Sequence, residues 1–143
     1  MANYVKDIDK GYSAIMREIK RAADMVVDVG IFKGEVAEYA TYNEYGTRDI
    51  PARPAHAMSF DENKNDISSD VRAGMRRITS GSSTVNRELN IIGLKHQNRI
   101  QATIKRGIPP PNAQSTIDRK GSNKTLIDTG VMVNSVTYAV RSK

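Results

Sequence analysis

The chain has no cysteine and no tryptophan, two histidines, and eight other aromatic residues, two Phe and six Tyr, among 143 residues. Each shortage excludes something. Without cysteine there is no disulfide framework and no thiolate metal centre. His56 and His96 stand far apart, with no HExxH-type spacing, so a zinc site would have to be filled by scattered carboxylates. Few aromatics argue against a platform for stacking nucleobases. No apolar run approaches the length of a membrane span. The opening MANYVKDIDK lacks the charged, apolar and small-residue pattern of a secretory leader, which predicts a protein made and kept in a cytoplasm-like setting with no membrane partner. No Gly-rich phosphate loop is present either. Gly121-Ser122-Asn123-Lys124-Thr125 lacks the glycine before the lysine and the one upstream, and no cofactor is expected.

What is there is charge, unevenly spread. The net charge is +6, but residues 1–72 carry −3 and residues 73–143 carry +9. This division predicts either nucleic acid against the basic half or head-to-tail contact between copies. The length suits one domain, residues 1–143, large enough to bury a core.

Periodicity divides the chain. Ile8, Tyr12, Ile15, Ile19 and Ala22 form one helical stripe, with Asp7 or Asp9 as the cap. Met25–Phe32 alternates with β-branched residues and predicts a half-buried strand, followed by a Lys33-Gly34 turn. In Glu35–Tyr45, alanine and glutamate favour helix and the tyrosines at every third position favour strand. Gly46 after it is a natural helix stop, so helix is expected. Pro51 and Pro54 stiffen the following loop, from which Arg48 and Arg53 stand out, either as part of an ordered connection or as an edge that pairs with acidic groups on a neighbour. Helical spacing resumes from Ile67 to Ile78 and, after a Ser/Gly break, in a long helix capped by Ser83 or Thr84 and running through Arg106. Its stripe is Val85, Leu89, Ile92, His96, Ile100 and Ile104, with His96 read as a satisfied interior or boundary histidine rather than a ligand or base. Its polar face is basic through Arg87, Lys95, Arg99, Lys105 and Arg106. Gly107 and Pro109, Pro110 and Pro111 end it in a stiff connector. Asn112 is expected to cap a short helix towards Arg119.

Thr116–Val136 is the densest stretch. Arg119, Lys120 and Lys124 surround Gly121 and Ser122 in what reads as a loop, and Asp128 before the mixed apolar run reads as a helix N-cap. Asp128-Thr129-Gly130 also matches the aspartic-protease triplet. Only 13 residues follow it, and the apolar-apolar-Gly segment such a fold needs downstream, Ile91-Ile92-Gly93, lies upstream. Thr137–Arg141 alternates and predicts a last strand able to pair with Met25–Phe32. The fold expected is α+β: a small antiparallel or mixed sheet, helices packed on one face, and a long projecting contact loop at 107–126.

Three blocks then carry a family likeness: VAEYATYNEYGTRDIPARP at 36–54, LNIIGL at 89–94, and GIPPPNAQSTIDRKGSNKTLIDTGVMVNSVTYAV at 107–140. In this order and spacing they resemble the tail-completion (neck) proteins of long-tailed bacteriophages. One departure is Ala55-His56, where that family usually has Phe-Leu. The resemblance implies a structural virion protein rather than an enzyme. It implies a homo-oligomeric ring, six copies by family expectation, between head-completion (connector) proteins and the tail terminator, with DNA passing through the channel. The interface residues expected on this basis are Arg48, Arg53, Pro109, Pro110, Arg119, Lys120, Gly121 and Lys124, with Gly46, Pro51, Pro54, Asp128 and Gly130 as structural positions. The competing reading, from charge alone, is a basic nucleic-acid-binding module on the long helix.

Overall fold

The computed structural model describes residues 9–32 and 34–143. Asp7, Ile8 and Lys33, which the sequence assigns to the first helix and first turn, lie outside the described residues. In chain order the elements are α1 (Tyr12–Asp24), β1 (Met25–Gly30), α2 (Gly34–Tyr45), α3 (Ala55–Thr79), α4 (Val85–Arg106), α5 (Gln114–Lys120), α6 (Val131–Asn134) and β2 (Thr137–Ser142). The fold is α+β.

The long helix α4 is the axis. Thr84 caps it, its hydroxyl accepting from the Arg87 backbone N–H at 3.3 Å. The predicted stripe is its buried side: Val85, Ile92, Ile100 and Ile104 are all buried. β1 and β2 pair antiparallel with Val27 opposite Val140 and Val29 opposite Tyr138. Both strands lie against α4, at Gly93. A Cβ there would stand 2.9 Å from Val27 Cγ2 and closer still to the Tyr138 ring. Glycine is what lets helix and sheet approach. β1 stops at Gly30, two residues short of the predicted Phe32, where its pairing with β2 ends at Thr137.

α3 and α4 form an antiparallel hairpin across the Ser80–Thr84 turn. Ion pairs mark the register: Arg77 with Glu88, Asp70 with Lys95 and Arg99, Glu62 with Arg106. The pairs step outward from the turn in both directions, as antiparallel neighbours must. α3 begins at Ala55, twelve residues before the periodicity at Ile67. Residues near Pro54 offer no local cap, but the Glu44 carboxylate, from the end of α2, accepts from the His56 and Ala57 N–H groups at 3.1 and 2.9 Å.

A core of Ala40, Ala55, Ile100, Ile104, Ile108, Leu126, Met132, Val133 and Val136 joins α2, α3 and α4 to the C-terminal third. α1 is more peripheral: Ile15, Ile19 and Ala22 are only half-buried, and Tyr12, first on its stripe within the described residues, is exposed. Asp9 accepts from the Ser13 N–H at 3.1 Å, as the cap reading expects, while the residue at the cap position itself is Gly11. His96 is half-buried, at the boundary, but is not satisfied as expected. It meets Phe60 edge to face at 6.3 Å, and its buried Nδ1 has no hydrogen-bond partner among the described residues.

Candidate functional site: the surface of α2, the 46–54 loop and segment 107–130

Segment 107–126 is a surface excursion tied down at both ends rather than a free projecting loop. At its start Gly107 ends α4 at φ 94°, and the buried Ile108 N–H donates to Thr125 Oγ1 at 2.8 Å. At its end Thr125 and Leu126 are buried. Leu126 holds φ 60°, a left-handed conformation unusual for a leucine, which turns the chain back into the core. Between the anchors, residues 114–120 form α5, the short helix expected towards Arg119. The helix extends until Gly121, at φ 67°, terminates it, the left-handed stop that glycine adopts without penalty. Asn112 does not cap α5. Its side-chain amide reaches across the excursion to the Lys124 carbonyl at 3.1 Å. Lys120 Nζ also donates to that carbonyl at 3.1 Å.

Arg53 is the main correction to the expected interface. It does not stand out from the loop. It is 7% exposed, and its guanidinium donates through Nε to the Pro110 carbonyl at 2.8 Å and through Nη2 to the Pro111 carbonyl at 3.1 Å. The rigid Pro51–Pro54 loop turns it inward: Gly46 adopts φ 77° behind α2, the Thr47 N–H donates to the Ile50 carbonyl at 2.8 Å, and the Arg53 N–H donates to the Asn43 carbonyl at 2.6 Å. Burial lowers the arginine's pKa, and the proline carbonyls rather than a carboxylate take its charge. Arg53 is thus an internal clamp between the loop and the proline run. Arg48, Pro109, Pro110, Arg119, Gly121 and Lys124 are exposed, as an interface would need, and Lys120 is half-buried.

Asp128 is also reassigned. It is exposed and caps nothing; the residue at the cap of α6 is Gly130, at φ 81°, whose carbonyl accepts from the Asn134 N–H. The short helix needs a left-handed entry more than a carboxylate. Two adjoining recesses, of about 450 and 470 Å³, share Tyr39, Arg119, Lys120, Leu126 and Asp128 as lining. The structure therefore brings together residues from α2, the proline loop, α5 and the Asp-Thr-Gly turn, which sequence separates by up to about ninety positions.

Part of the charge division of the sequence is taken up by ion pairs within the molecule. Lys95 and Arg99 grip Asp70 at 2.6 and 2.8 Å, Arg106 holds Glu62 at 2.8 Å, and Arg141 meets Asp28 at 2.5 Å. Each joins a residue of the basic half to one of the acidic half, so the split does not translate into one acidic and one basic end. The hydrogen bond from Lys95 holds the Asp70 carboxyl below its usual range, the Arg99 bond adding to it against the effect of burial. Glu88, 2% exposed and gripped by both Arg77 Nε and Nη2, is held down to about 2.

Several of these residues were missed. Glu88 sits three residues after Val85 and four before Ile92, so a carboxylate on the buried stripe was itself a signal. Glu44 and Asn43 had no readable signal, because their partners, Ala57 and Arg53, are set by the tertiary path of the proline loop. Among the described residues no helix is long and apolar enough to cross a membrane. Compared with protein-family models, curated proteins and solved structures, the chain matches none.

Proposed function

We propose that this chain is a structural protein of the virion that forms a ring at the head–tail junction of a long-tailed bacteriophage. The ring completes the tail for joining to the filled capsid, between connector proteins and the tail terminator. One observation carries the reading. The first and third blocks of the sequence likeness are hydrogen-bonded to each other, Arg53 of Ile-Pro-x-Arg-Pro to the carbonyls of Pro110 and Pro111. Residues that make the likeness are also residues that build one surface, with Arg48, Arg119 and Lys124 displayed on it. The aspartic-protease reading draws no such support, since Asp128 leads into a helical turn.

The test is the mass of the purified protein alone and after mixing with isolated tails. A discrete ring on the tail end is the expected result. Deleting Arg119–Lys124, which lies between the buried anchors, is expected to leave the domain folded and to block head–tail joining. Normal virion yield from that deletion would sink the proposal. A protein that ignores tails but shifts in mass with DNA would favour the nucleic-acid module instead.

A further inference from the structure

Two unlike patches lie towards opposite ends of α3. The first is the outward face of α2. Glu35, Glu38, Tyr42 and Tyr45 are all exposed, Tyr45 by 81%, and α2 contains no lysine or arginine. The Tyr42 hydroxyl donates to Glu38, which fixes ring and carboxylate side by side. The second is a recess of about 600 Å³ between α1 and the α3–α4 turn, lined by Ile15 and Ile78, by Lys10 and the exposed Arg17 and Arg21, and by Glu18, whose carboxylate accepts from the Val85 N–H. Among the described residues neither arginine is part of an ion pair.

Their placement follows from the helix between them. The end of α2 lies at the start of α3 because Glu44 holds the His56 and Ala57 N–H groups there. The recess lies at the other end because Ile78 lines it. α3 has 25 residues, and at about 1.5 Å per residue it separates the two ends by roughly 37 Å. A patch whose complement lies on the far end of the same molecule is satisfied by a second copy, twice over in an antiparallel pair or once per neighbour in a heterologous contact that repeats. The chemistry matches as well: carboxylates beside tyrosine rings meet guanidinium groups, which take both a charge partner and an aromatic face.

We infer that the α2 face of one copy docks into the α1 recess of the next copy, through Glu35 and Glu38 against Arg17 and Arg21. That this chain of contacts closes into a ring rests on the neck reading; the contact itself does not. All four side chains are exposed, so reversing them leaves the core untouched.

Wild type, E35K/E38K and R17E/R21E are compared by sedimentation at low and high salt over a range of concentration, with circular dichroism confirming the fold of each. Wild type is expected to self-associate at low salt and to dissociate as salt rises. Each variant is expected to associate at least tenfold more weakly, because each retains only one half of the contact. Mixed in equal amounts, the two should associate as wild type does: the lysines of one meet the new glutamates of the other, and their untouched patches meet in the alternate contacts. A monomeric wild type at low salt, variants that associate like wild type, or a mixture that stays dissociated overturns the inference. Capture on isolated tails is scored separately. Tail binding without this self-association removes the contact and leaves the neck reading standing, whereas the reverse result does the opposite.

Discussion

The guanidinium of Arg53 is bound by the carbonyl oxygens of Pro110 and Pro111, so one buried side chain ties a proline-stiffened loop to a proline run 57 positions later. Hydrogen bonds from a charged donor contribute about 1.5–3 kcal/mol each way of counting, and a carbonyl left dry and unpaired costs a similar amount. Arg53→Ala is therefore expected to lower stability by about 2–3 kcal/mol and to loosen the excursion that the clamp holds. Hydrogen exchange should speed up across 107–126 while α4 keeps its protection. Lysine should not rescue, since a single ammonium lacks the planar fork that spans two carbonyls. Unchanged exchange in 107–126 would show that the clamp is dispensable.

Gly93 sets the distance between α4 and the sheet. Alanine there has to displace Val27 Cγ2 and the Tyr138 ring, neither of which can retreat, because one sits on each strand of the pair. Overpacking of this kind costs about 1–3 kcal/mol, and Gly93→Ala is expected at the upper end of that range by urea denaturation. The double variant Gly93→Ala with Tyr138→Ala should recover part of the loss, as the ring is the nearest obstacle.

These cases mark how far the sequence could be read. α4 was legible end to end, because Thr84, the buried Val85, Ile92, Ile100 and Ile104, and Gly107 are local signals that agree with each other. The pairing of β1 with β2 was legible because only two segments alternate. What escaped was whatever a distant residue decides. Arg53 looked like a surface arginine because the carbonyls that bury it lie at Pro110 and Pro111. Asp128 looked like a cap because Asp commonly is one, yet Gly130 two positions on supplies the backbone turn that α6 uses. The acidic and basic halves looked like two surfaces, and they face each other across the α3–α4 hairpin.

Acid should unfold the protein in a window fixed by those internal pairs. Glu88 has its folded pKa depressed from 4.5 to about 2, by the Arg77 hydrogen bonds first, against the burial that opposes them. A depressed carboxylate stabilises the fold fully above its unfolded pKa and loses that contribution as pH falls through the folded one. Asp70 and Glu44, both lowered, act in the same direction. For Glu44 burial is the largest influence and works upward, but the bonds from His56 and Ala57 outweigh it. The melting temperature is thus expected to hold near neutrality and to fall steadily between about pH 4.5 and pH 2. Arg77→Ala leaves the Glu88 carboxylate without its partner and is expected to lower stability at neutral pH. A second expectation separates this pair from the general acid response: in Arg77→Ala the loss between pH 4.5 and 2 should be visibly smaller, because the depression to be lost is gone.

The remaining question, whether the basic face of α4 tracks nucleic acid, has a quantitative answer. Five residues were candidates: Arg87, Lys95, Arg99, Lys105 and Arg106. Lys95 and Arg99 are held by Asp70 and Arg106 by Glu62, and a cation already facing a carboxylate releases little when a phosphate approaches. That leaves Arg87 and Lys105 to neutralise phosphate from this face. Each neutralised phosphate contributes about −0.9 to the slope of log K against log salt on duplex DNA. Titration by fluorescence anisotropy between about 50 and 200 mM salt is therefore expected to give a slope near −2 or shallower, with weak binding throughout. A slope of about −4 or steeper would require the Asp70 and Glu62 pairs to open onto DNA. Asp70→Asn tests that directly: it should steepen the slope by releasing Lys95 and Arg99, and if wild type already binds as steeply as the variant, the ion pairs do not restrain this face.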